Sequence, residues 1–359
     1  MTKSRRQHIR RSARPTLVGH VGVAVRRRKP RPAQPAPQVS QADLRRQEEI
    51  ERELVLARDI QQGLLLEAVP RLPGWEIGAI SLPARDLGGD LYDFLPLGDG
   101  RHGIMIGDVS GKGLPAALRM AVARTVFRHE ARRGEPPGPT LAAVNRGVIA
   151  EIPQGMITML YAVLDTRAGE LRMANAGHTY PVVINGCVHE LELTGLPLGV
   201  DGDSDYQETS AMLRPGDTVL LYTDGVVEAT NSSDEYFGFE RMAQLLAGRP
   251  NLKPRALMQS LLHELRLWSS AGQTDDITVV VLRRRFERLA DELRSVADDV
   301  LGTERAAELW GELDLPEQGG TEQWVEVLPR ITAVAQARYG RGIARELQGQ
   351  LRLTLEEYR

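Results

Sequence analysis

The feature that most constrains the fold is a run of short apolar segments between residues 74 and 285, several of them joined by only a few turn residues. Nine segments are predicted as strands: 75–81, 91–97, 103–109, 158–165, 170–175, 180–184, 188–193, 218–223 and 277–283. Three connections are typical of tight hairpins: Gly98-Asp99-Gly100, Arg167-Ala168-Gly169 and Asn185-Gly186. Helical patterns occupy 113–131, 138–151, 238–247 and 253–268. Because helices do not follow every strand, we expect an α/β (α+β) domain of mostly antiparallel sheets covered by helices, and no Rossmann fold.

The first 40 residues have the composition of a disordered arm. They contain eleven basic residues, no acidic residue and five prolines. A segment with so little apolar surface cannot offset the entropy that folding would cost. We expect a basic arm that is either a solvated tail or an electrostatic tether to an acidic partner, a membrane surface or nucleic acid.

Residues 41–67 predict one long amphipathic helix. Apolar residues such as Ile50, Leu54 and Leu64 recur at helical spacing among interleaved charges, and Pro70 ends the pattern. A helix with one apolar stripe either pairs with a second copy of itself or lies along the next domain. The segment 41–69 is therefore expected to be a coiled-coil linker that forms a homodimer, or a helix that caps the following domain.

Composition excludes several classes of protein. Outside the arm the chain carries 34 basic and 48 acidic residues, which excludes a uniformly basic nucleic-acid-binding protein. The single cysteine, Cys187, allows neither an internal disulfide nor a cysteine-based zinc site, and this favours a reducing compartment. No apolar run reaches the roughly 18 residues that span a bilayer, and no signal-peptide pattern is present. We expect a cytoplasmic protein without membrane insertion.

Residues 286–359 are predicted to be wholly helical. Apolar residues such as Leu293, Trp324 and Leu347 continue one stripe through several segments, which Gly319-Gly320 and Gly340 separate. The segment contains no recognisable chemical motif, so the sequence predicts a helical appendage without indicating its role.

Four aspartate sites, far apart in the sequence, carry the strongest chemical signal. They are Gly88-Gly89-Asp90, Gly107-Asp108-Val109, Thr223-Asp224-Gly225 and Thr274-Asp275-Asp276. Any one alone would be an ordinary Asp-Gly turn, as Asp99-Gly100 is. Two of the four follow apolar strands directly, and carboxylates that meet at strand ends are the oxygen ligands that Mg²⁺ and Mn²⁺ require. Two such ions about 3.5–4 Å apart can share one carboxylate and activate water.

The motifs that surround these aspartates are Pro83-Ala84-Arg85-Asp86-Leu87-Gly88-Gly89-Asp90-Leu91-Tyr92-Asp93-Phe94, Gly107-Asp108-Val109-Ser110-Gly111-Lys112-Gly113, Asn175-Ala176-Gly177-His178, Leu196-Pro197-Leu198-Gly199, Tyr222-Thr223-Asp224-Gly225 and Thr274-Asp275-Asp276-Ile277-Thr278. In this order they resemble the stage II sporulation protein E family, which consists of bacterial metal-dependent (PPM) serine/threonine protein phosphatases. The segment from Ala57 to Leu65 also resembles the lead-in helix of that family. The resemblance covers about residues 55–284. It implies an α-β-β-α sandwich over residues 70–285, with a metal site at one end of two stacked sheets.

The resemblance also implies a set of site residues. Asp108 would bridge two divalent cations, Mn²⁺ or Mg²⁺, and the Val109 carbonyl would ligate one of them. Asp224 and Asp275 would complete the site, with Asp276 as the second choice to Asp275, and Asp90 would bind directly or through water. Asp108 and Asp224 would thereby act in catalysis, because a water activated by the metals attacks the phosphoserine or phosphothreonine without a phosphoenzyme.

Four further residues near these motifs have alternative interpretations. Arg85 is a candidate ligand of the substrate phosphate, because a planar bidentate donor suits phosphate. Lys112 either touches phosphate or substrate, or belongs to an ordinary Gly-Lys-Gly turn. His178 is expected to be structural, with general-acid catalysis as the alternative. Asp93 is expected to cap or support the Asp90 turn and not to bind metal.

These inferences predict a protein-serine/threonine phosphatase. The resemblance implies a phosphorylated STAS-type anti-anti-sigma factor as substrate, in a partner-switching pathway. Helix 41–67 is expected to dock near the helix that begins at Leu114 and to set the Asp108 loop, so that a charge at Ile60 or Leu64 would change kcat. Two alternatives stay open: a catalytically weak scaffold that retains the fold, and a phosphatase that acts on a small metabolite.

Overall fold

The computed structural model describes residues 41–65, 69–152, 154–248, 252–269 and 272–358. The chain divides into two units, residues 1–48 and residues 49–359. Of the first unit, only the beginning of helix α1 (Gln41–Leu64) is described. The basic arm predicted for residues 1–40 lies outside the described residues. In the part of the chain that is described, no helix is both long and apolar enough to cross a membrane.

Ten strands of the described chain form two five-stranded sheets in which every pairing is antiparallel. In chain order they are β1 (Trp75–Leu82), β2 (Leu91–Gly98), β3 (Arg101–Val109), β4 (Ile157–Asp165), β5 (Glu170–Ala176), β6 (Val182–Ile184), β7 (Val188–Glu190), β8 (Glu208–Met212), β9 (Thr218–Tyr222) and β10 (Ile277–Arg284). The first sheet has the order β1-β10-β9-β6-β7, and the second has the order β2-β3-β4-β5-β8. The α-β-β-α class expected from the sequence is confirmed.

Two pairs of helices cover the outer faces of the sheets. Helices α2 (Leu114–Ala131) and α3 (Pro137–Glu151) pack on the second sheet, while α4 (Gly238–Ala247) and α5 (Pro254–Trp268) pack on the first. Apolar side chains of both sheets, Ile106, Leu160 and Val280 among them, form a third core between the sheets. Burial on both faces explains why β9 and β10 are almost continuously apolar instead of alternating.

The C-terminal segment folds into four helices, α6 (Leu289–Leu301), α7 (Thr303–Glu312), α8 (Thr321–Tyr339) and α9 (Arg341–Glu357). They share a core of their own around Trp324, which is 1% exposed. A buried charge group joins this bundle to the sandwich. Arg283, at the end of β10, donates from one nitrogen to Glu76 of β1 (2.9 Å) and to Glu292 of α6 (2.7 Å).

Two features of the sandwich differ from the sequence prediction. Strand β8 was not predicted, because Glu208–Met212 is a partly exposed edge strand with a single apolar side chain of any size. The long N-terminal helix ends at Leu64, a few residues before the predicted end at residue 67.

Candidate active site

The predicted aspartates gather at one end of the sandwich and come from both sheets. Asp90 directly precedes β2, and Asp108 is the penultimate residue of the neighbouring strand β3. Asp224 opens a short 3₁₀ helix (Asp224–Val226) after β9, and Asp275 lies just before β10, the strand that pairs with β9. Antiparallel pairing therefore puts the end of one strand beside the beginning of the next, in each sheet.

Asp90 is the most deeply buried of these aspartates, with 4% of its surface exposed. The Thr223 hydroxyl donates to its Oδ2 at 2.8 Å and accepts from the Thr278 amide at 2.9 Å. Burial, followed by the negative charge of Asp108, raises the pKa of Asp90 well above its ordinary value. This chain of hydrogen bonds from Thr278 through Thr223 to Asp90, here called the threonine relay, links Asp90 beside the second sheet to strands β9 and β10 of the first.

Asp108 is the carboxylate that the others surround. Burial, followed by the charges of Asp224 and Asp275, raises its pKa to about 7. Gly89 faces it closely: a Cβ at that position would lie 2.7 Å from the Val109 carbonyl oxygen and 3.3 Å from Asp108 Oδ1. A glycine at position 89 therefore leaves one carbonyl and one carboxylate oxygen free to share a small space.

Asp224 has a companion that the motifs did not indicate. Burial and the Asp275 charge raise the pKa of Asp224. Burial also raises the pKa of Glu228, and the charges of Asp224 and Asp275 add to that effect. The Glu228 amide donates to the Asp224 carbonyl at 2.8 Å, so the turn after β9 brings this second acid to the cluster. No glycine or acidic neighbour accompanies Glu228 in the sequence, which is why motif reasoning missed it.

The two acids of the Asp275-Asp276 pair have different surroundings. Both oxygens of Asp276 accept backbone N–H groups, from Ala84 at 2.7 Å and from Gly89 at 2.6 Å. Asp276 is 6% exposed and holds the 84–89 loop against β10. Asp275 instead turns one oxygen to the Lys112 ammonium at 2.8 Å, and Lys112 also donates to the Thr274 carbonyl at 2.7 Å. Lys112 therefore lies in the site, whereas Asp276 supports it.

The remaining candidates lie at varying distances from the cluster. His178 is buried, its Nδ1 lies 2.8 Å from the hydroxyl of Thr158, and Thr158 pairs with Asp108 across the sheet. Burial lowers the pKa of His178 to about 4, so its imidazole is neutral near pH 7 and lacks the acidic imidazolium proton that a general acid would donate. Arg85 is exposed on its loop and makes no hydrogen bond or ion pair within the described residues.

Asp93 does not cap the Asp90 turn, and that prediction is wrong. Its carboxylate is buried between two arginines of α2, with Oδ2 3.1 Å from Arg124 Nε and 3.4 Å from Arg128 Nε. Asp93 thus fixes helix α2, whose N-terminus follows the Asp108 loop, to strand β2.

Helix α1 reaches the site through polar contacts. Gln61 donates to the Gly88 carbonyl at 2.7 Å and accepts from the Gly88 amide at 3.2 Å, and Arg58 pairs with Asp86. Leu65, just past the helix, packs on the core that α2 shares. Of the two residues predicted to make the contact with α2, Ile60 is 60% exposed and Leu64 is half-buried. The helix therefore holds the segment that leads into Asp90.

The donor chemistry of the cluster fits hard divalent cations. Among the described residues, no three acidic, histidine or cysteine side chains already converge as a ready ligand set. Burial and mutual repulsion nevertheless raise the pKa values of Asp90, Asp108 and Asp224, and the Lys112 charge offsets this only in part at Asp224. A carbonyl oxygen and carboxylates, with neighbouring glycine, make the oxygen-rich environment that Mg²⁺ and Mn²⁺ occupy.

Comparison with known proteins gives a consistent result. The model of the stage II sporulation protein E (SpoIIE) family matches residues 98–285, which is more than half of the chain. The phosphoserine phosphatase RsbU of Bacillus subtilis is 32% identical over 243 residues, which span 67% of this chain and 72% of RsbU.

Solved structures show the same fold. The SiaA-PP2C domain of Pseudomonas aeruginosa superimposes with a TM-score of 0.60 at 24% identity, covering 68% of this chain and 98% of that domain. The RsbU and RsbW domains of Rv1364c from Mycobacterium tuberculosis give a TM-score of 0.56 at 27% identity, covering 77% and 79% of the two chains. With the family model and the RsbU match, these findings show that the chain belongs to the SpoIIE family.

Proposed function

We propose that the chain is a metal-dependent protein-serine/threonine phosphatase. The observation that carries the proposal is the meeting of Asp90, Asp108, Asp224 and Asp275, from four distant segments and both sheets, at one end of the sandwich. RsbU, the relative with 32% identity, is a phosphoserine phosphatase. All the acids of the set predicted from the sequence are present, which favours this function over a catalytically weak scaffold.

A carboxylate cluster alone would repel a phosphate ester, so phosphatase chemistry here requires cations. Asp108, the Val109 carbonyl, Asp224 and Asp275 would hold them, with Asp90 in support. Divalent cations bound there would neutralise phosphoryl oxygens and lower the pKa of the attacking water.

The protein's own groups have distinct tasks in this reaction. Thr223 orients Asp90 through a 2.8 Å hydrogen bond, and Asp276 fixes the amide of Gly89, next to Asp90. Without a cation, burial and the neighbouring carboxylates hold the pKa of Asp108 at about 7, so a cation that binds there would compete with a proton near neutral pH. Gln61 hydrogen-bonds both the carbonyl and the amide of Gly88 and thereby fixes the backbone that leads into Asp90.

The test is release of phosphate from a phosphoserine protein with Mn²⁺ or Mg²⁺, comparing the wild type with Asp108→Asn. We expect activity that depends on the cation and that falls by at least about 100-fold in the variant. Asp99→Asn is the matched control, because Asp99 lies in the β2–β3 turn at the opposite end of β3 and already has a positive φ of 54° that asparagine tolerates. Activity that survives Asp108→Asn, or that ignores EDTA, would contradict the assignment.

We further propose a phosphorylated STAS-type anti-anti-sigma factor in the cytoplasm as the substrate. The support is the similarity to RsbU and to the RsbU and RsbW domains of Rv1364c. A phosphorylated STAS protein should then show a kcat/KM at least tenfold above that of a phosphoserine peptide of the same local sequence. Equal values for the two substrates would refute this choice.

We also propose that α1 pairs with a second copy of itself. Leu56 and Ile60, one turn apart, are about 60% exposed, although their neighbour Gln61 is buried against Gly88. Sedimentation should show a dimer that Leu56→Glu weakens, while a glutamate at the exposed polar position Gln62 does not. A monomer at high protein concentration would refute the pairing.

A further inference from the structure

Lys112 lies on a loop that is shaped to bring it to the carboxylate cluster. Its two neighbours, Gly111 and Gly113, have φ values of 100° and 73°, which a residue with a side chain rarely adopts. Between them the lysine turns inward, and its ammonium lies 2.8 Å from Asp275 Oδ2 and 2.7 Å from the Thr274 carbonyl oxygen. The Gly-Lys-Gly segment is therefore more than a simple turn.

The Lys112 charge acts on more of the cluster than Asp275. It lowers the pKa of Asp224 and of Glu228, opposing the burial and the neighbouring acids that raise both. Within the described residues, Lys112 is the basic side chain that the structure pairs with the acids proposed to bind metal. Without it, the cluster would hold several carboxylates and no counter-ion.

The position is also one that the lysine can leave. The side chain of Lys112 is 37% exposed and that of Asp275 is 41% exposed, so the ammonium can return to water without crossing the core. An ion pair exposed to this degree is weaker than a buried one, and its strength falls with salt. A divalent cation carries twice the charge and needs the same oxygen.

We infer that Lys112 is an internal counter-ion of the carboxylate cluster, which stabilises the metal-free protein and competes with a divalent cation for Asp275. The inference rests on the proposed metal dependence. When a cation binds, Asp275 exchanges the Lys112 ammonium for the metal and no covalent bond changes. Lys112 therefore lowers the affinity of the site for the metal. In the metal-free protein it reduces the repulsion among the carboxylates and so stabilises the folded state.

The experiment measures Mn²⁺ binding directly, by electron paramagnetic resonance of free Mn²⁺ and by titration calorimetry, and requires no substrate. Lys112→Met keeps the length of the side chain and removes its charge, and Lys112→Gln is a second uncharged variant. Lys112→Arg retains the charge. Arg345→Met removes one positive charge from the exposed surface of α9 as a matched control.

We expect the two uncharged variants to bind Mn²⁺ about 3- to 10-fold more tightly than the wild type, as loss of a partly exposed competing charge predicts. In EDTA the same variants should melt at a lower temperature than the wild type, and saturating Mn²⁺ should abolish that difference. Lys112→Arg and Arg345→Met should leave the Kd within about twofold of the wild-type value.

Unchanged or weaker Mn²⁺ binding in both uncharged variants would overturn the role of Lys112. So would an equal gain in Lys112→Arg, since that variant keeps the charge. These outcomes leave the proposed function intact as long as the wild type binds Mn²⁺ and Asp108→Asn does not. Failure of the wild type to bind any divalent cation would overturn both the function and the inference.

Discussion

Replacing Glu292 by glutamine would remove one charge from the buried group that joins the C-terminal bundle to the sandwich. Glu292 and Arg283 are both 0% exposed, and Glu76 is 9% exposed. Glu292 Oε1 accepts from Arg283 at 2.7 Å, and its other oxygen accepts from the Phe286 amide at 3.3 Å. Glutamine preserves the size of the side chain, so the change tests charge and not packing.

The expected loss in the free energy of unfolding depends on the interactions that Arg283 retains in the variant. Breaking a buried ion pair by removing one partner costs about 3–5 kcal/mol, because an uncompensated charge stays in the interior. Arg283 retains Glu76 at 2.9 Å, and glutamine can still accept one hydrogen bond. We therefore expect Glu292→Gln to lower the free energy of unfolding by about 2–3 kcal/mol, below the full cost of an isolated buried charge.

Urea unfolding followed by tryptophan fluorescence measures this loss, since Trp324 lies in the core of the bundle and Trp75 in the sandwich. Glu308→Gln is the control: Glu308 pairs with Arg338 in solvent, at side-chain exposures of 64% and 36%, and should cost less than about 1 kcal/mol. If Glu292→Gln cost no more than this control, the buried charges would not be what holds the two parts together.

Two further predictions concern the site. Thr223→Val removes the donor to Asp90 and should reduce metal affinity about 10- to 100-fold, measured by calorimetry. Its control is Thr218→Val on the same strand, because the buried Thr218 hydroxyl has no hydrogen-bond partner among the described residues, and equal losses in both variants would contradict the relay. The second prediction concerns pH. The pKa of Asp108 is about 7 in the folded protein and near 4 when unfolded, so the folded state binds more protons between these values. The metal-free wild type should therefore lose stability relative to Asp108→Asn as the pH rises from about 4 to about 7, and thermal melts in EDTA that show a constant difference would contradict this.

Much of the sandwich was predictable because its strands are continuous apolar runs with clear turns between them. The hairpin at Asp99-Gly100 and the strands before Asp108 and Asp224 follow the predicted pattern closely. Strand β8 was not predictable in this way, since its exposed side chains give no apolar signal and its pairing with β5 is a contact of the tertiary structure.

The acidic residues of the site could be predicted from the sequence, but the residues that hydrogen-bond to them and position them could not. Asp90, Asp108, Asp224 and Asp275 stand out by their glycine and strand context, so spacing and resemblance find them. Gln61 and Thr223 support Asp90 across more than 25 residues of sequence, and such partners are visible only once the chain is folded. Asp93 illustrates the opposite error, because its position near Asp90 suggested a local cap, while its partners lie on α2.

Strand β10 has a further consequence for how the chain finds its alignment during folding. In a strand with alternating apolar and polar residues, a one-residue shift in register would expose the apolar face, and this disfavours the shift. Strand Ile277–Arg284 is buried on both faces, so its apolar pattern alone does not fix the register. Its two ends supply the alignment instead. Asp276, just before the strand, accepts hydrogen bonds from the Ala84 and Gly89 amides. Arg283, near the other end, pairs with Glu76 directly across the sheet. A shift by one position would separate both charged residues from their partners. The charged residues at the two ends therefore fix the register of the apolar strand between them.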